Sequence, residues 1–84
     1  MLGKALCRLR TMNGITAKDL SGKLGISPSY LSEIESDKKS PNTKLLNAYS
    51  VVFGIKQSTI IAFAEQLEEH GNTFMQEMIV GKLE

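Results

Sequence analysis

An all-helical domain is the fold predicted by this 84-residue sequence, and three observations predict it. Apolar residues recur three or four positions apart along the chain, while β-branched residues are scattered without alternating runs. Polar capping residues and glycines punctuate that pattern at the points where helices would begin and end. The length allows one domain with one core, because so short a chain buries only about 60–65 per cent of its unfolded surface.

The first helix carries Leu2, Leu6, Leu9 and Met12 as one apolar stripe, with Cys7 at its edge, and Asn13-Gly14 ends it. Thr16 caps a second helix, with Asp19 at N3 as the shortened partner of a capping box; that helix runs to Leu24 and stops at Gly25. Ser27 is placed as the N-cap of a third helix and Pro28 at N1, where its missing N–H and fixed φ cost nothing. Leu31 and Ile34 then face inward, while Ser29, Tyr30, Ser32 and Glu33 spread over the other side.

After the polar stretch "SDKKSPN", Asn42 caps a fourth helix with the widest apolar face, formed by Leu45, Leu46, Tyr49, Val52 and Phe53, and Gly54 closes it. Ser58 or its neighbour opens a fifth helix with Ile60, Phe63, Ala64 and Leu67 along one side. His70-Gly71-Asn72 reads as a break, followed by a short amphipathic helix that carries Phe74, Met75, Met78, Ile79 and Leu83. The expected organisation is a compact five-helix domain over residues 1–70 and a short C-terminal helix over 71–84.

Composition narrows the function. Cys7 and His70 are each the single residue of their type, so neither an intramolecular disulfide nor a zinc set is expected, and no cofactor or metal is expected. Glu65, Glu68, Glu69 and His70 read as a solvated helix face and not as acid–base machinery, so the chain is not expected to be an enzyme. No apolar run approaches the roughly 20 residues of a membrane span, and no signal segment opens the chain; a cytoplasmic protein is the expectation.

The formal charge of +1 hides an asymmetry. Residues 1–56 hold nine basic and four acidic side chains, a balance of +5, and residues 57–84 hold one basic and five acidic, a balance of −4. A basic body beside an acidic tail suits an anionic partner on one side, against the plainer reading of two solvated surfaces.

The predicted helices at 16–24 and 28–35, joined by a tight glycine-containing turn, meet the description of a helix-turn-helix. Ser21 and Gly22 are small enough for a close crossing, and Ile26, Leu31 and Ile34 form the apolar wedge. A plain αα-hairpin has the same outline. Residues 15–55, "ITAKDLSGKLGISPSYLSEIESDKKSPNTKLLNAYSVVFGI", resemble the lambda-repressor-like, Cro-type (XRE-like) helix-turn-helix family, and residues 1–14 match its first helix. The most specific part is "SYLSEIE" followed by Lys-Lys and Pro.

That resemblance implies a four- or five-helix domain whose third helix enters the major groove of double-stranded DNA, commonly as a dimer on a two-fold operator. The polar, uncharged start of the third helix suits base edges, which serine hydroxyls and a tyrosine face can meet. Ser29, Tyr30 and Glu33 are the expected base readers, with Pro28 at the groove edge. Packing over the helix pair is the alternative for Tyr30, and an ion pair with Lys38 or another neighbour is the alternative for Glu33. Family geometry assigns phosphate contacts to Thr16, Lys18, Ser32, Lys38, Lys39, Asn42 and Lys44. In similar domains an arginine of the first helix pairs with the glutamate that ends the third, and Arg10 and Glu35 occupy the matching positions.

The chain departs from the family pattern in two places. Many members carry glutamine where this chain has Ala17 and Pro28, so no operator preference carries over. The usual Glu-Arg-Gly turn reads Glu35-Ser36-Asp37, which leaves Asp37 as the left-handed residue and adds a carboxylate expected to weaken DNA binding.

Ile61, Phe74, Met75, Met78 and Ile79 exceed what a five-helix monomer needs to bury, and a homodimer interface is expected there; folding back onto the chain's own core is the alternative. A sequence-specific transcriptional regulator, phage-type or controller-like, is the leading expectation. An antitoxin-like protein that binds a protein partner as well as DNA, and a protein-interaction module, are the other readings.

Overall fold

The computed structural model describes residues 2–80, with side chains placed from Leu2 to Glu68. Five helices follow in order: α1 Leu2–Met12, α2 Ala17–Leu24, α3 Pro28–Glu35, α4 Thr43–Phe53 and α5 Gln57–Val80. The starts of the three central helices are each satisfied by a side-chain oxygen. Thr16 accepts from the Asp19 amide at 3.1 Å, Ser27 from Tyr30 at 3.1 Å, and Asn42 from Leu45 at 2.8 Å.

Packing is pairwise: α1 lies against α3 and α5, α2 against α3 and α4, and α4 against α5. Leu6, Leu20, Leu24, Leu31, Ile34, Leu45, Tyr49 and Ile60 form one buried core to which every helix contributes. Ala5, Ala64 and Leu67 extend it between α1 and α5. Tyr49 is fully buried and stacks on Phe53 with ring centroids 6.1 Å apart. Its hydroxyl has no hydrogen-bond partner among the described residues, and burial pushes the phenol well above its ordinary range.

Three sequence expectations are corrected. The backbone of α5 is helical through residues 70–72, so the segment expected as a separate C-terminal helix continues α5. Glycine costs a helix interior only about 1 kcal/mol against alanine, too little to stop a helix that is already nucleated. Met12 is 70 % exposed, because it stands at the last position of α1, where the buried face of that helix is carried by Gly3, Ala5 and Leu6. Gly22 is exposed with open space where a Cβ would stand, so Ser21, 2 % exposed, is the small residue that permits the α2–α3 crossing.

Gly3 carries a requirement that periodicity does not reveal. A Cβ at this buried position would collide with the Ile34 carbonyl oxygen and come within 2.7 Å of Asp37 Oδ1. The Gly3 amide donates to that Asp37 oxygen at 2.9 Å, so the turn after α3 caps the start of α1. Asp37 holds the left-handed backbone needed to reach it, with φ of 63°. The left-handed conformation expected of Asp37 is present, and its carboxylate is bonded to α1.

Candidate nucleic-acid interface

The site begins at the turn between α2 and α3. Gly25, at φ 74°, lets the chain reverse, and the amides of Gly25 and Ile26 donate back to the carbonyls of Gly22 and Ser21 at 3.3 and 3.0 Å. Ser21 turns its hydroxyl into α2, donating to the Lys18 carbonyl at 2.9 Å, so its burial leaves no orphaned donor. Ile26 packs against the core from the turn.

Leu31 and Ile34, both fully buried, fix which face of α3 is turned inward. Pro28, Ser29 and Ser32 consequently lie exposed on the outer flank, and Tyr30 and Glu33 are half-buried at its margin. Tyr30 leans on the core and lines a shallow groove with Leu24, Gly25, Ile26, Asn42 and Lys44. That groove sets the side of α3 beside the start of α4.

Thr16, Lys18, Lys38, Lys39, Asn42 and Lys44 are all exposed, at the α2 start, in the turn after α3 and at the α4 start. Thr16 and Asn42 spend a side-chain oxygen on helix caps. Lys39 does not simply point into solvent. Its ammonium lies 3.5 Å from Glu33 Oε1 and 5.7 Å from the centroid of the Tyr30 ring. Of the two roles open to Glu33, the free protein adopts an ion pair, with Lys39 as the neighbour.

At the other end of α3, Arg10 reaches Glu35 through two hydrogen bonds, Nε to Oε2 at 2.8 Å and Nη2 to Oε1 at 3.0 Å. Nη1 donates to the Ile15 carbonyl at 3.0 Å, which also ties down the loop entering α2. The hydrogen bond to Glu35 raises the Arg10 guanidinium above its ordinary value, against the opposing effect of burial. The pair, with side chains 16 % and 10 % exposed, locks α3 to α1 behind the outer flank.

Ile61, expected at a dimer contact, is 45 % exposed on α5. Phe74, Met75, Met78 and Ile79 lie outside the residues whose side chains are described. An apolar groove runs nearby, lined by Leu9, Met12, Ile55, Ile60 and Phe63. Among the described residues no set of His, Cys, Asp and Glu is placed to hold a metal ion, and no helix is long and apolar enough to cross a membrane.

Sequence reading missed the Gly3–Asp37 bond and the direction of Lys39. Neither had a local signal: the first arises from the approach of α1 to the end of α3, 34 positions apart in sequence, and the second depends on how the turn folds.

A model of the helix-turn-helix family matches residues 8–60 of this chain. A Yarrowia lipolytica protein named as a multi-protein-binding factor 1 is 34% identical over 55 residues, which cover 66% of this chain and 36% of that protein. An Archaeoglobus fulgidus protein described as an uncharacterized HTH-type transcriptional regulator is 40% identical over 47 residues, 56% of this chain and 20% of the relative. The matched region thus spans about a third or less of these curated relatives' length. Among solved structures, the clp gene regulator ClgR from Corynebacterium glutamicum superposes with a TM-score of 0.69 at 27% identity, covering 92% of this chain and 87% of that one.

Proposed function

Because the chain belongs to the lambda-repressor-like helix-turn-helix family of DNA-binding regulators, we propose that it is a non-enzymatic, sequence-specific transcriptional regulator, acting in the cytoplasm as a homodimer on a palindromic operator. The observation that carries this reading is the outer flank of α3, where Pro28, Ser29 and Ser32 are exposed while Leu31 and Ile34 anchor the helix from behind. A rigid helix that projects uncharged polar groups suits the donor and acceptor pattern of a major groove.

In this reading Ser29, Tyr30 and Glu33 read base edges, with Pro28 at the groove margin. Thr16, Lys18, Ser32, Lys38, Asn42 and Lys44 hold the phosphates, aided by the partial positive charge at the starts of α2 and α4. The Arg10–Glu35 pair keeps the reading helix at its angle. Two copies join through Ile61 and the residues of 71–84, among them Phe74, Met75, Met78 and Ile79. Dimerisation links two weak half-site contacts into one strong one.

Selection from a random duplex pool tests the reading. It predicts two inverted half-sites about one helical turn apart, affinity that falls steeply with salt, and a changed preference for Tyr30→Ala. Retention of no particular sequence by the wild-type protein would remove it. A second reading, in which a protein partner is bound as well as DNA, draws on the name of the Yarrowia relative and on the apolar groove of Leu9, Met12, Ile55 and Phe63; co-purification of a stoichiometric partner that leaves DNA binding intact would favour it.

A further inference from the structure

We infer that Lys39 sets the sequence preference of α3 by holding Tyr30 and Glu33 in position, instead of serving as a phosphate anchor. This rests on the DNA-binding reading above and concerns how its reading face is arranged. The chain folds back after α3: the amides of Lys38 and Lys39 both donate to the Glu33 carbonyl, at 2.9 and 3.2 Å. The Lys39 side chain therefore starts over the last turn of the helix. Tyr30 and Glu33 stand three residues apart and share one helix face. A single ammonium reaches both, 3.5 Å from the carboxylate oxygen and 5.7 Å from the ring centroid.

Each contact alone is weak at such exposure. Made by the same cation, the two favour one arrangement of all three side chains. The pairing also offsets a carboxylate that would otherwise repel phosphates on entering the groove. A lysine so engaged acts on which base is read, whereas a lysine on a phosphate acts on all sequences alike. Lys38, exposed in the same turn, is the matched control.

The test compares wild type with Lys39→Met, Lys39→Arg and Lys38→Met, each checked for an unchanged melting temperature. Duplex selection is followed by affinity measured against salt. Lys39→Met is expected to cut the ratio between selected and scrambled duplex by about tenfold, with an unchanged salt slope. Lys39→Arg, which keeps a cation over the ring, restores the ratio. Lys38→Met lowers the slope by about one and leaves the preference intact. A Lys39→Met protein with its preference kept and its slope lowered by about one overturns the inference alone. So does a Lys39→Arg protein that behaves like Lys39→Met. If wild type retains no duplex at low salt, the DNA-binding reading falls and takes this one with it. In the free protein, the ring current of Tyr30 should shift the Lys39 ε-methylene protons upfield, and Tyr30→Leu should abolish the shift; an ordinary methylene position in wild type overturns the arrangement without any DNA.

Discussion

Arg10 and Glu35 join α1 to the end of α3 through two hydrogen bonds of 2.8 and 3.0 Å, a forked geometry that only a guanidinium can offer a carboxylate. Because both side chains are largely shielded, removing one strands the other. Arg10→Met should cost about 3 kcal/mol and lower the melting temperature by more than about 10 °C. The double change Arg10→Met with Glu35→Leu should recover most of that loss, since apolar residues can replace a shielded pair without penalty. Thermal melts of the single and double variants check both outcomes.

Tyr49 tests the opposite situation, a polar atom whose loss should do no harm. Its hydroxyl is buried and has no partner among the described residues, so Tyr49→Phe should leave the melting temperature at neutral pH unchanged or raise it. The alkaline limb provides the sign check. Burial raises the folded phenol above its unfolded value of 10.0, so above that pH the unfolded chain sheds its proton first. The stability contributed is complete below pH 10.0 and is lost as pH climbs toward the folded value, with a limiting slope of about 1.4 kcal/mol per pH unit. Denaturant melts between pH 9 and 11 should fall more steeply in wild type than in Tyr49→Phe.

The meeting of Gly3 and Asp37 sets two effects against each other. Gly3→Ala gains about 1 kcal/mol in helix propensity, yet its Cβ would be forced into backbone at Ile34, and such overpacking costs typically 1–3 kcal/mol. A net loss is expected in thermal melts. At position 37, Asp37→Gly removes the strain of the left-handed backbone but also the cap on α1, each worth about 1 kcal/mol. It should melt near wild type. Asp37→Ala keeps the strain, loses the cap, and should melt well below both.

What was legible in the sequence was the chemistry that acts within four residues. Thr16, Ser27 and Asn42 each cap the amide three positions on, and Pro28 follows Ser27, so the starts of α2, α3 and α4 could be read directly. Leu31 and Ile34, three apart, revealed which flank of α3 is left outside. The bond between Gly3 and Asp37 spans 34 positions and is a product of the α1–α3 approach, which no local pattern encodes. Family geometry implies a phosphate contact for Lys39 but says nothing of its place in the free protein, where the folded turn directs it onto Tyr30 and Glu33. The continuity of α5 was obscured because Gly71 and Asn72 are strong stop signals by type and weak ones by energy.

Ile61 is the described residue on which the proposed dimer can be tested without disturbing the core, since it is 45 % exposed and projects from the same α5 segment that buries Ile60, Ala64 and Leu67. Ile61→Glu places a charge where two copies would meet. If the interface lies there, sedimentation should show the mass falling to that of a single chain at concentrations where wild type is double. Operator affinity should drop by about a hundredfold or more, as the second half-site ceases to be held at high effective concentration. Preference within one half-site should persist, because α3 and its anchors Leu31 and Ile34 are untouched. The melting temperature should fall only by the share that association contributed, and that share should grow with protein concentration in wild type but not in the variant.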